Sequence, residues 1–100
     1  MTTHLWTWDG TYFGYRDGND LWTHRGVLAG HFHANEVYGS HGGYLGEVNG
    51  DRLLTDITKS ALRQAPFGPR HGAAMGAHGP LGAKGMLGGY KAFPKPEEFA

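Results

Sequence analysis

Seven histidines are the residues of this 100-residue chain whose chemistry could include binding a metal ion. His31 and His33 lie two residues apart in "GHFHA", so on a β-strand both would face the same side. A site built from histidine alone would suit Zn, Cu or Ni. The residues sixteen positions before and after His33 are Asp17 and Asn49, so histidine does not recur at that spacing. We therefore expect surface histidines and no metal site.

Carboxylates are the groups that could act as a general acid or base, but nearly all of them lie in turn-like segments, where they commonly cap backbone amides. Glu47, within a predicted strand, is the exception, and we expect it to face outward. Ser40 and Ser60 lack the strand-to-helix turn that presents a nucleophilic serine, and the chain has no cysteine. The sequence predicts no catalytic residue, no cofactor and a protein that is not an enzyme.

Three blocks of sixteen residues align without a gap and indicate an internal repeat. They are LWTWDGTYFGYRDGND (5–20), LWTHRGVLAGHFHANE (21–36) and VYGSHGGYLGEVNGDR (37–52), followed by a partial fourth at 53–58. The second position of each block is aromatic: Trp6, Trp22 and Tyr38. The sixth and tenth positions are glycine: Gly10, Gly26 and Gly42, then Gly14, Gly30 and Gly46.

A block of sixteen residues suits two short strands and two tight turns. The sixth-position glycines predict turns that need a positive φ. The tenth-position glycines fall inside strands, which indicates a sharp bend or a large neighbour across the gap. We predict an all-β domain over residues 1–58, an antiparallel meander of about seven strands over 4–57. A strand kinked at the same place in each block would curl the sheet into a shallow barrel or funnel.

The blocks resemble the β-flower family, small barrels whose hairpins radiate like petals and which are similar to lipid-binding barrels of the tubby C-terminal and scramblase type. The resemblance covers residues 5–57, on the patterns LW…G…YFG, LW…G…LAG and VY…G…YLG. It implies a barrel and a role in binding a hydrophobic ligand, and it brings no catalytic residue. The partial fourth unit lacks both glycines and departs from the family pattern where the barrel must close.

Residues 59–100 have a different composition, rich in glycine and proline. Over 76–90, glycine recurs at every third residue, at Gly76, Gly79, Gly82, Gly85 and Gly88. Such Gly-X-Y triplets are typical of polyproline II strands that pack closely, and a flexible Gly-rich tail is the alternative. The tail carries six Lys or Arg against two Glu, whereas residues 1–58 carry three Arg against seven Asp or Glu. We expect the basic tail to lie on the acidic body.

Two functions of different class follow from these features. The first is a homo-oligomeric structural or assembly protein, a trimer or tetramer, because so short a chain has a small core and no disulfides. The second is a binding module that holds a lipid or another apolar ligand in a funnel lined by Trp6, Trp22 and Tyr38. Nucleic acid is not an expected partner, since the tail's Lys and Arg are scattered. The N-terminal stretch has no signal-peptide pattern and no apolar run suits a transmembrane helix, so we predict a cytoplasmic protein.

Overall fold

The structure is a computed structural model that describes residues 2–68, 70, 79–85 and 87–99. Within these residues the chain forms one eight-stranded sheet in which strand order follows chain order. A parallel pairing of β1 with β7 closes the first seven strands into a barrel. The strands are Thr2–Thr7 (β1), Tyr12–Asp17 (β2), Asp20–Thr23 (β3), Leu28–His33 (β4), Glu36–Tyr38 (β5), Tyr44–Asn49 (β6), Arg52–Asp56 (β7) and Tyr90–Ala92 (β8).

The predicted all-β meander of seven short strands is therefore confirmed. Each of the seven strands contributes one apolar side chain to a ring in the barrel core. The seven are Leu5, Phe13, Leu21, Ala29, Val37, Leu45 and Leu53, spaced by eight residues along the chain. Eight residues are one strand plus one turn, so the spacing brings the next inward-facing side chain to a similar depth in the barrel.

The tenth-position glycines lie where the backbone of a neighbouring strand leaves no room for a side chain. Gly14, Gly30 and Gly46 pair across the sheet with the first residue of their own block, and a β-bulge follows each pair. A Cβ at these glycines would lie 2.0 Å from the Trp22 carbonyl oxygen, 2.7 Å from that of Tyr38 and 2.4 Å from that of Leu54, respectively. The neighbour is a backbone carbonyl in each case, and only Gly46 also meets a large side chain, the ring of Phe93.

The sixth-position glycines form the turns at one end of the barrel, which we call the upper rim. Gly10, Gly26 and Gly42 have φ angles of 94°, 83° and 86°, a region that L side chains avoid. The tail runs along this rim. The Gln64 amide donates to the Gly42 carbonyl (2.7 Å) and the Leu81 amide to the Gly10 carbonyl (2.9 Å).

The last described residues pack against the closed barrel. β8 pairs antiparallel with β7, and a 3₁₀ helix follows at Pro96–Phe99. We call residues 93–99 the plug, because Phe93 is 2% exposed and its ring stands edge-on to Phe13 at 5.4 Å. Of the predicted polyproline II segment, 76–78 and 86 lie outside the described residues, and 79–85 have no regular secondary structure.

Candidate functional site

The candidate site is an apolar groove at the upper rim between β4 and β6. β4 contributes the smallest side chain to the ring in the barrel core. Ala29 occupies there the position that Phe13 has on β2 and Leu45 has on β6. Ala29 is itself 2% exposed, so it belongs to the barrel core. The missing side-chain volume leaves space beside this strand.

A second small residue enlarges the same space. Three threonines at the same position of the sixteen-residue repeat, Thr7, Thr23 and Thr55, are buried near the upper rim. The matching position directly after β5 is Gly39. In the second block the Thr23 hydroxyl accepts from the Val27 amide (3.2 Å). The turn after β5 has the same backbone hydrogen bonds, including Gly42 N to Gly39 O (2.9 Å), but Gly39 has no side chain to occupy the space that the threonine fills in the other turns.

The resulting groove has a volume of about 960 Å³. Most of its lining is aliphatic or aromatic, while the polar members Ser40, His41, Arg70 and Glu98 are all exposed. The lining residues are Val27, Leu28, Ala29, Gly39, Ser40, His41, Gly43, Tyr44, Leu45, Pro66, Phe67, Arg70, Glu98 and Phe99. The barrel thus supplies two walls, the early tail a third, and the plug the fourth.

The tail wall is held by four side chains that we call the clamp: Asp20, His31, Phe67 and Arg70. One Asp20 oxygen accepts from the Arg70 guanidinium (2.7 Å), and the other lies 3.2 Å from His31 Nε2. The His31 ring stacks on Phe67 with centroids 4.0 Å apart. The clamp therefore ties a basic tail residue to an acidic barrel residue, as the charge distribution predicted.

A polar cluster on the outer face of β5 and β6 anchors the start of the tail. Lys59 Nζ lies 2.9 Å from carboxylate oxygens of both Glu36 and Glu47. The hydrogen bond from Lys59 lowers the pKa of Glu36, and the same ammonium's pKa is raised chiefly by Glu47. Tyr44 donates to Glu47 (2.9 Å), and burial raises the pKa of this phenol. Each charged group here has an opposite partner.

The three aromatic residues predicted to line a funnel lie on the outer face of the barrel, and Trp6 and Trp22 contact the tail. Trp6 Nε1 donates to the Gly79 carbonyl (2.9 Å), and the Arg70 guanidinium lies 5.6 Å from the Trp22 ring. Tyr38 donates to Glu36 (2.9 Å). None of the three lines the groove. A ligand contact by Trp6, Trp22 or Tyr38 stays a prediction.

The candidate metal ligands do not come together. His31 belongs to the clamp, whereas His33 is exposed and stands edge-on to Tyr38 at 5.4 Å. Within residues 2–68, 70, 79–85 and 87–99, three or more His, Asp or Glu side chains do not gather in a geometry that could hold a metal ion. In the same part of the chain, helices long and apolar enough to cross a membrane are absent.

Comparison of the chain with protein-family models, curated proteins and solved structures finds no match in any of the three. The groove therefore has to be interpreted from its own geometry. Sequence reasoning missed it, although a signal was present. Ala29 and Gly39 are the two small residues in columns that otherwise hold Phe, Leu or Thr.

Proposed function

We propose that this protein is a non-enzymatic binding module whose groove holds an elongated apolar ligand such as an acyl chain. The observation that carries the proposal is the apolar groove of about 960 Å³, which opens at the rim of a closed barrel. Ligand pockets commonly have volumes of roughly 300–1,000 Å³ and are mostly apolar, with a few polar groups. The β-flower resemblance, with its implied hydrophobic ligand, supports the same proposal, and membership of that family is part of it.

The charges around the groove support a ligand that is apolar over most of its length. Arg70, the cation at the mouth, is already paired with Asp20, so it offers little unpaired charge to a ligand. The deep wall consists of Leu28, Ala29 and Leu45, which can contribute only dispersion contacts and burial of apolar surface.

The test is displacement of the fluorescent probe 1-anilinonaphthalene-8-sulfonate from the full chain by dodecanoate, in wild type and in Ala29→Phe. The substitution installs on β4 the side chain that β2 carries at Phe13, so it fills the groove from inside. We expect dodecanoate affinity to fall at least about tenfold, equivalent to about 1.4 kcal/mol.

The matched control is Ala83→Phe, the same change at an exposed residue that does not line the groove. It should bind as wild type does. Equal affinity in wild type and Ala29→Phe, with both variants folded, would reject the groove as the binding site.

We propose self-assembly into a homo-trimer or homo-tetramer as a second function. The observation that favours it is apolar exposure, since Ile57, Leu62 and Leu87 are 51%, 42% and 44% exposed. Ile57 and Leu87 lie near each other, because the Ile57 amide donates to the Gly89 carbonyl (2.9 Å), and exposed apolar side chains that lie together mark interaction surfaces. Light scattering on the full chain should give three or four times the 10.9 kDa chain mass. A concentration-independent monomer would rule this function out.

A further inference from the structure

Residues 79–85, which we call the strap, are held on the barrel rim by main-chain hydrogen bonds. The indole N–H groups of Trp6 and Trp8 donate to the strap carbonyls of Gly79 and Gly85, both at 2.9 Å. In the other direction, the strap amides of Leu81 and Lys84 donate to the carbonyls of Gly10 (2.9 Å) and Trp8 (3.1 Å). Four hydrogen bonds thus fix seven residues.

Recognition of the strap uses its backbone and little side-chain burial. Gly79, Gly82 and Gly85 have open space where a Cβ would be, and Leu81 is the one half-buried side chain in the segment. At the rim, a Cβ on Gly10 would lie 2.0 Å from the Leu81 carbonyl oxygen, so the turn glycine permits the close approach. Main-chain recognition of this kind accepts any extended segment that presents the same groups in register.

The strap, β8 and the plug together form the C-terminal arm, residues 79–85 and 87–99. Apart from a few hydrogen bonds within the arm, such as Tyr90 N to Leu87 O (3.2 Å), its hydrogen bonds and its strand pairing join it to the barrel or to Ile57, which follows β7. The barrel closes without the arm, because β1 pairs directly with β7 at Trp6–Arg52 and Thr7–Leu53. The arm therefore occupies a receptor surface that the first seven strands already define.

We propose that this receptor surface takes the arm of a second copy, so that copies of the chain associate by exchanging arms. An identical arm satisfies the same hydrogen bonds in the same register, and such exchange is a low-cost route to oligomers. The junction of arm and barrel is also where apolar surface is left exposed. The Ile57 amide donates to the Gly89 carbonyl (2.9 Å), and the side chains of Ile57 and Leu87 are both exposed there.

The inference rests on the proposed self-assembly, and the test uses the pairing of β7 with β8. Thr55 and Lys91 are direct partners across these strands, and such partners have Cα atoms about 4.5–5.5 Å apart, within disulfide range. The chain has no cysteine of its own. Thr55→Cys is therefore made in one full-length chain and Lys91→Cys in another, and the two chains carry tags of different mass. The two variants are mixed, refolded together from urea and then oxidised.

Exchange predicts a disulfide-linked heterodimer of the two variants. Its yield should exceed that of a control pair, Asn19→Cys with Lys91→Cys, by about tenfold or more, because a docked pair has an effective concentration far above that of free chains. Asn19 lies in the turn at the opposite end of the barrel from the upper rim. A single chain carrying both Thr55→Cys and Lys91→Cys verifies that the pair can form a disulfide.

Three results would be decisive. A heterodimer above control supports exchange. An oligomer by light scattering whose heterodimer yield equals the control overturns arm exchange and leaves self-assembly through another surface. A monomer whose disulfide forms only within the doubly substituted chain overturns both.

Discussion

Gly46 lies between two groups that leave no room for a side chain. A Cβ there would be 2.4 Å from the Leu54 carbonyl oxygen and 2.5 Å from the Phe93 ring. The glycine therefore permits two contacts at once: the close approach of β6 to β7, and the insertion of an aromatic ring from the end of the chain. Extra volume in a well-packed core commonly costs about 1–3 kcal/mol.

We predict that Gly46→Ala lowers the free energy of unfolding by about 2 kcal/mol or more. Urea unfolding followed by tryptophan fluorescence measures the change. The matched control is Gly82→Ala, the same substitution at a glycine with open space around it, which should alter stability by less than about 0.5 kcal/mol. Equal effects at the two positions would contradict the close packing described for Gly46.

The Glu36–Lys59 pair predicts a pH dependence of stability. Because the pKa of Glu36 is lowered from its ordinary value of 4.5 in the folded protein, its stabilising contribution is present above pH 4.5. That contribution is lost as the pH falls from 4.5 through the lower folded pKa. The pKa of Lys59 is raised from 10.5, so its contribution is present below pH 10.5 and is lost as the pH rises above it.

Glu36→Gln should therefore flatten the acid side of the stability profile. We expect wild type to exceed the variant by about 0.5 kcal/mol at pH 7, in the range of partly exposed ion pairs, with the two converging at low pH. Urea titrations across the acid range test this expectation. Glu97→Gln, at an exposed residue of the plug, is the control. A constant difference between Glu36→Gln and wild type at all pH values would exclude the proposed titration.

At the scale of elements, the clamp adds to the main-chain hydrogen bonds that hold the tail wall of the groove on the barrel, from Phe67 N to Ser40 O (3.0 Å) and from Leu28 N to Arg70 O (3.1 Å). Asp20→Asn removes the carboxylate that binds Arg70 and lies beside His31. We predict a global stability loss of no more than about 1 kcal/mol, because Arg70 is exposed, but a larger local effect. Trypsin cleavage after Arg70 should accelerate several-fold, as read by mass spectrometry, and Asp51→Asn should leave that rate unchanged.

The elements also show how far the sequence could predict the fold. The sixteen-residue blocks, read from Gly10, Gly14 and their equivalents, predicted the hairpins, their turns and the number of strands. They did not reveal the ring of seven core side chains spaced by eight residues, because its members range from Ala29 to Phe13 and share only an apolar character. The turn after Tyr38 looked like the other two, although Gly39 replaces a buried threonine there.

At the scale of the whole molecule, the end of the chain is part of the barrel core. Phe93 is 2% exposed and contacts Phe13 and Phe99, eighty residues and six residues away in sequence, respectively. Nothing in "FPKPEEF" indicates that Phe93 packs against Phe13. A contact between residues eighty positions apart depends on where the tail rejoins the sheet, and the local sequence does not give that place. The division into a repeat domain at 1–58 and a tail at 59–100 stays a prediction, although Phe93 of the tail packs in the core of the repeat domain.

We predict that Phe93→Ala destabilises the protein by about 3–5 kcal/mol, the cost of a cavity left by a buried aromatic ring. Phe99→Ala, at a half-buried member of the same plug, should cost distinctly less. Thermal unfolding monitored by near-ultraviolet circular dichroism reports on both. Near-identical melting of wild type and Phe93→Ala would show that the plug does not belong to the core.

Binding of an apolar ligand in the groove is tested most directly by nuclear Overhauser contacts between bound dodecanoate and the protein's methyl groups. The groove predicts contacts from the alkyl chain to the methyl groups of Ala29 and Leu45, which face the barrel interior. Contacts confined to the exposed side chains of Ile57, Leu62 and Leu87, or no contacts at saturating ligand, would contradict it.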